Sequence, residues 1–137
     1  MRKKIFIILS VFIMGVIYYL SSCDAFTSSL QSGAIVEWIS LYVPVDSFIV
    51  RKFAHFSLYF ILSLIIYLAG YYINFKHPEV FTFMVVTIYA ISDELHQYFV
   101  PGRSCEIRDM LIDVAGCVVA LSIIKLWRYL KCLENNK

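Results

Sequence analysis

Apolar residues along this chain fall into four long runs separated by short polar segments. The run at 5–22 follows Arg2-Lys3-Lys4 at once and carries no charge, and the run at 53–73 carries one ionisable side chain, His55, near its start. The run at 80–100 is apolar as far as Asp93 and then turns polar. The run at 107–127 holds Arg108, Asp109 and Asp113 near its start and Lys125 near its end. A hydrocarbon core about 30 Å thick takes about 20 predominantly apolar helical residues, so the pattern predicts four transmembrane helices at 5–22, 53–73, 80–100 and 107–127. The longest intervening segment contains Ile35, Trp38, Ile39 and Tyr42 at i, i+3, i+4 and i+7, ahead of Pro44. That spacing predicts a short amphipathic helix at about 33–43 lying along the interface. A short helix capping the bundle fits the same stripe. The expected fold is an all-α polytopic membrane protein, one domain over residues 1–137.

Composition agrees. Of the 137 residues, 61% are apolar and only 16% charged, against about 45–50% and about 25% in soluble domains. A water-soluble monomer is thereby excluded, and the bilayer is the expected partner. Five glycines, three prolines and four dispersed cysteines exclude collagen-like, disordered and disulfide-scaffold chains. No phosphate-binding glycine loop or nucleic-acid motif is present, so no nucleic-acid partner is expected.

The scarce charges are sorted. With the N-terminus inside, Arg2, Lys3, Lys4, Lys76, Lys125, Arg128, Lys131 and Lys137 share the inner side with Glu79 and Glu134 alone. The outer side then holds most of the acids. The positive-inside rule therefore predicts both termini in the cytoplasm of a multi-pass cell-membrane protein. A rival reading takes Arg2-Lys3-Lys4 and the first run as a signal peptide, with Leu20-Ser21-Ser22-Cys23 as a lipobox lipidated at Cys23. It would leave three crossings. Cys23 and Cys105 both fall outside, where a disulfide is chemically permitted, but all four cysteines are expected to be free.

Ionisable residues inside spanning segments are costly, so they face the bundle interior, a partner or water. At about 100° per helical residue, Asp93, Gln97, Glu94 and His96 fit one arc of about 160°, with Leu95 opposite. Asp109, Asp113, Gly116 and Ala120, spaced by 4, 3 and 4, form a stripe that is acidic above and small below. Arg51, His55 and Tyr59 share a face four residues apart, with Lys52 and Phe56 beside them. The turn Pro101-Gly102 holds Arg103 next to the polar ends of two helices. One outer cavity could gather all of these. As candidate acids, bases and their partners it offers His55, Asp93, Glu94, His96 and Asp109. Arg51, Lys52, Tyr59, Gln97, Arg103 and Asp113 are candidates for holding a substrate, the cations through a phosphate or carboxylate. Two histidines and several carboxylates could ligate Zn²⁺ or Mn²⁺, but no HExxH or CxxC pattern occurs, and neither a metal site nor a cofactor is assigned from the sequence.

Three blocks in order, Arg51-Lys52-Phe53-Ala54-His55-Phe56 with Tyr59, the run from Asp93-Glu94-Leu95-His96-Gln97 to Pro101-Gly102-Arg103, and Asp109, Asp113 and Gly116, closely resemble the VanZ-like family of small bacterial membrane proteins. Ser21-Ser22 resembles the Ser-Ser-Gln that follows the family's first helix, with Cys23 in place of glutamine. Asp113 stands where many members have asparagine, and Ala120 where they often have glycine. The family is named for a protein associated with low-level resistance to the glycopeptide teicoplanin, so the resemblance implies an envelope role. Two functions remain open. One is an enzyme acting on an envelope lipid or lipid-linked cell-wall precursor. The other is a non-catalytic accessory or ligand-sequestering protein, in which the polar cluster is a structural network and Asp109 pairs with Arg103 or Arg108.

Overall fold

A computed structural model describes residues 2–41 and 46–135. They form five helices, with no strand among the described residues: α1 (Arg2–Ser22), α2 (Ala25–Ser40), α3 (Ser47–Tyr72), α4 (Pro78–Gln97) and α5 (Ile107–Asn135). At one end Phe6 stacks on Tyr72 and Arg128 reaches the Tyr67 hydroxyl. At the other end Ser21 meets Asp93 and His55 meets Asp113. Helices α1, α3, α4 and α5 therefore run alternately up and down, and the candidate site residues collect at the second end.

Three helices, α1, α3 and α5, are long and apolar enough to cross a membrane. The apolar window of α3 is 44% buried within the protein, against 17% for α1 and 22% for α5, so α3 is the hub and the other two turn most of their surface outward. Its Tyr59, Leu62 and Ile66 pack with Ile17 of α1, Val86 and Ala90 of α4, and Cys117 of α5. Backbones of α3 and α5 come close at Gly116, where a Cβ would stand 2.5 Å from the Phe56 carbonyl oxygen and 3.1 Å from the Phe60 nitrogen. Small residues permit such backbone contact between helices in lipid, where helix association depends on packing. Several core hydroxyls are satisfied locally or across helices. Thr82 donates to the Pro78 carbonyl, Ser63 to that of Tyr59, and Tyr89 to that of Met14 at 2.6 Å, which ties α4 to α1.

The helix ends differ from the sequence pattern for local reasons. Helix α3 begins at Ser47 rather than 53, because Asp46 caps it by accepting the Phe48 N–H, and Arg51 and Lys52 are thus helical. Helix α4 stops at Gln97 rather than 100, ahead of Pro101, which disfavours helical geometry in the residue before it. Helix α5 continues past 127 to Asn135 through Lys, Arg and Leu, all good helix formers.

The segment expected to hold a short interfacial helix at 33–43 holds the longer α2, starting directly after α1. Asp24 starts it, accepting the Thr27 N–H on its carboxylate at 2.6 Å and the Ser28 N–H on its backbone carbonyl. The Thr27 N–H holds the Asp24 carboxyl below the ordinary carboxylate range. Among the described side chains, Phe26, Leu30 and Trp38 are exposed while Ser28 and Ser32 are buried. The helix thus turns small polar residues inward and large apolar ones outward. Tyr42 and Pro44, which closed the expected helix, lie outside the described residues.

Candidate functional site

The polar end divides into two halves of different character. The first is a fastening between α1, α4 and the loop 98–106. Asp93 is buried on α4, and its Oδ2 accepts from Ser21 Oγ at 2.8 Å and from Gln97 Nε2 at 3.2 Å. Gln97 Oε1 in turn accepts from Arg103 Nη1 at 3.0 Å. Arg103 also donates through Nε to the Cys23 carbonyl at 3.0 Å and through Nη2 to the Leu20 carbonyl at 3.3 Å. The last carbonyls of a helix lack intrahelical partners, so Arg103 caps α1 with a charge that suits its dipole. Burial, then the like charge of Arg51, pulls the Arg103 guanidinium below its ordinary value. The loop also receives the Ala25 N–H on its Pro101 carbonyl. Gly102 has φ +73, and a Cβ there would lie 3.0 Å from that of Ala25, so glycine meets both a backbone and a space requirement. Cleavage before Cys23 would remove Ser21 from Asp93 and the Leu20 carbonyl from Arg103.

The second half is a cavity of about 150 Å³, lined by Arg51, Lys52 and His55 from α3, Asp109 and Asp113 from α5, Gln97 of α4, and Arg103 with its neighbours in the loop. Lys52 forms an ion pair with Asp109. His55 Nδ1 lies 3.7 Å from Asp113 Oδ1, too far for a hydrogen bond. Arg51 has no hydrogen bond or ion pair among the described residues. A guanidinium carries five N–H donors. Arg103 spends three of them on the fastening, and two remain for the cavity.

The expected residues therefore come together only in part. Arg51, Lys52, His55, Gln97, Arg103, Asp109 and Asp113 line the cavity. Tyr59 lies one turn deeper, fully buried, its hydroxyl without a hydrogen-bond partner among the described residues. Asp93 lies behind the wall, with one oxygen in the fastening. Glu94 faces the start of α5, where it accepts the Glu106 backbone N–H at 2.6 Å. His96 faces α1, its ring stacked on Tyr18 at 4.7 Å and its Nε2 3.0 Å from Ser22 Oγ. The polar arc of α4 thus serves three neighbours rather than one cavity. Asp109 pairs with Lys52 instead of Arg103 or Arg108.

Ser21 belongs to the site and was not among the expected residues. Its one signal in the sequence is the Ser21-Ser22 pair at the end of an otherwise apolar run. Ser21→Ala is expected to lower stability by about 1.5–3 kcal/mol, the range for a hydrogen bond to a charged group, read as a lower melting temperature in detergent with unchanged helicity.

The VanZ/LLP1 family profile matches residues 6–128 of the chain. None of the curated proteins and none of the solved structures matches it.

Proposed function

The chain belongs to the VanZ/LLP1 family, and on the geometry of its polar end we propose that it spans the cell membrane four times and receives an anionic head group in an outward-facing cavity. The ligand is an envelope lipid or lipid-linked cell-wall precursor, and capturing it contributes to glycopeptide (teicoplanin) tolerance. Helix α4 supports the fourth crossing, because its exposed Val80, Met84, Ile88, Ile91 and Leu95 recur every three or four residues as a lipid-facing stripe. The segregated Lys and Arg residues support cytoplasmic termini.

One observation carries the ligand class: a cationic mouth over an acidic floor. Arg51 is uncommitted, Arg103 keeps two N–H groups, and Lys52 is held beside Asp109 on the same wall. Guanidinium groups suit phosphate through paired, charge-assisted hydrogen bonds. Beneath them His55 lies beside buried Asp113, at the level a bound head group would reach. The fastening of Ser21, Asp93, Gln97 and Arg103 favours an architectural role for that half, which leaves the cavity as the functional half.

Lipid and cell-wall-precursor profiles of cells with and without the protein test this reading. Expression is expected to deplete or retain one phosphate-bearing species. Arg51→Ala is expected to weaken that effect about ten- to hundredfold at equal membrane abundance, the equivalent of a charge-assisted hydrogen bond of about 1.5–3 kcal/mol. An undiminished effect in an Arg51→Ala, Lys52→Ala double variant would exclude the cavity as the binding site.

A further inference from the structure

We propose that His55, Asp93 and Asp113 hold a divalent transition-metal cation at the inner edge of the cavity, where His55 and Asp113 line it and Asp93 stands behind them. Each residue comes from a different helix, α3, α4 and α5, and each offers one donor atom, all within 4.8 Å of one another. The carboxylates are almost wholly enclosed, Asp113 at 1% and Asp93 at 3% exposure. Asp93 Oδ1 and both oxygens of Asp113 lack hydrogen-bond partners among the described residues, as does the Tyr59 hydroxyl nearby. Buried carboxylate oxygens in that state are costly unless a cation or a proton satisfies them.

Two of the three neighbouring cations are otherwise engaged, and the third, Arg51, stands one helical turn from His55 on the cavity lining. Lys52 is paired with Asp109, and Arg103 is bonded to Gln97 and to two backbone carbonyls. A neutral His55 with two carboxylates supplies two negative charges, which balance a divalent ion. One imidazole and two carboxylates suit Zn²⁺ or Mn²⁺, whereas Mg²⁺ and Ca²⁺ take all-oxygen sets. Three protein ligands leave a further position open toward the cavity, as in metal sites that take water or a ligand oxygen. Donor atoms around a tetrahedral ion with bonds of about 2.0–2.1 Å lie about 3.3 Å apart. Binding therefore requires His55 and Asp113 to draw in toward Asp93 from the present spacing of up to 4.8 Å. Asp93 stays oriented throughout, because Ser21 and Gln97 hold its other oxygen, the outer-shell support that metal-ligating carboxylates commonly have.

The test uses the full chain, purified in detergent with a tag free of histidine, stripped with chelator and then offered Zn²⁺ or Mn²⁺ alone. Wild type is expected to retain about one ion per chain after desalting and to melt at a higher temperature with the metal than without. His55→Ala and Asp113→Asn are expected to lower metal affinity at least tenfold and to abolish the shift in melting temperature. Glu79→Gln, at the opposite end of α4, is expected to keep both. Co²⁺ in the wild-type site is expected to show visible d–d absorption that Asp113→Asn removes. Wild type that retains no ion and shows no shift with either metal overturns the proposal and assigns the site to a shared proton. Equal metal retention by wild type and Asp113→Asn overturns it as well. Both readouts are independent of the lipid profile, so the cation can fail while the head-group reading stands, and the converse.

Discussion

Gly116→Val is expected to abolish accumulation of folded protein in the membrane, and Gly116→Ala to lower it. In an unencumbered helix, glycine to alanine stabilises by about 1 kcal/mol. At Gly116 the sign reverses, because a Cβ would meet the Phe56 carbonyl oxygen at 2.5 Å and the Phe60 nitrogen at 3.1 Å, both backbone atoms of α3. No rotamer change relieves that contact. Helix α5 must retreat from α3, and overpacking of this kind costs about 1–3 kcal/mol or more. Valine adds two methyl groups to the same clash. The retreat also acts on the site, since Phe56 follows His55 directly and Gly116 lies one turn beyond Asp113. Gly15→Ala supplies the control, because a Cβ there meets nothing within 4 Å among the described residues. Quantified membrane abundance and melting temperature in detergent check the pair. Equal abundance of Gly116→Ala and Gly15→Ala would mean that α3 and α5 are not in backbone contact.

The apolar runs made the helices legible, because solvent imposes a length and a polarity on any segment that crosses lipid. Helix ends were less legible. Arg51 and Lys52 interrupt the apolar pattern without interrupting α3, whose start is set by the Asp46 cap. The segment before α3 misled for a related reason, since a stripe at 35, 38, 39 and 42 says nothing of Asp24, which starts α2 at Ala25. At the site, angular position told which residues of α4 leave the apolar face, but not which neighbour each would meet. That depends on packing, which sends Glu94 to the Glu106 N–H, Asp93 to Ser21 and His96 to Tyr18. Ser21 was read only within the family-like Ser21-Ser22 pair and not as a site residue, because a serine in an apolar helix carries no periodic signal. The acidic and small stripe from Asp109 to Gly116 was legible, because spacing by four and three keeps one face turned to α3 whatever the partner. His55, Asp93 and Asp113 form no spacing motif at all, because three helices must assemble before their donor atoms meet.

Arg103→Ala is expected to be the most damaging single change in the loop 98–106. It removes three hydrogen bonds at once, to Leu20, Cys23 and Gln97, and leaves the C-terminal carbonyls of α1 without their cap. Bonds from one guanidinium are not additive, so the expected loss is about 3 kcal/mol, the upper end for one charge-assisted hydrogen bond. Gln97 then loses the partner that fixes its amide, and with it the orientation of its bond to Asp93 weakens. Arg103→Lys separates charge from geometry. A lysine ammonium keeps the positive end near the α1 terminus, but it is a compact charge that cannot reach three divergent acceptors from a planar fork. It is expected to recover less than half of the lost melting temperature. If Arg103 acts only as a fastener, the lipid or precursor effect per folded molecule stays at the wild-type level in Arg103→Lys and total effect follows abundance. If its two remaining N–H groups also hold the head group, the effect per molecule falls by about tenfold, as expected for one lost charge-assisted hydrogen bond. Profiles normalised to folded protein in the membrane distinguish the two, and an Arg103→Ala variant as stable as wild type would show that α1 is held to the bundle by other means.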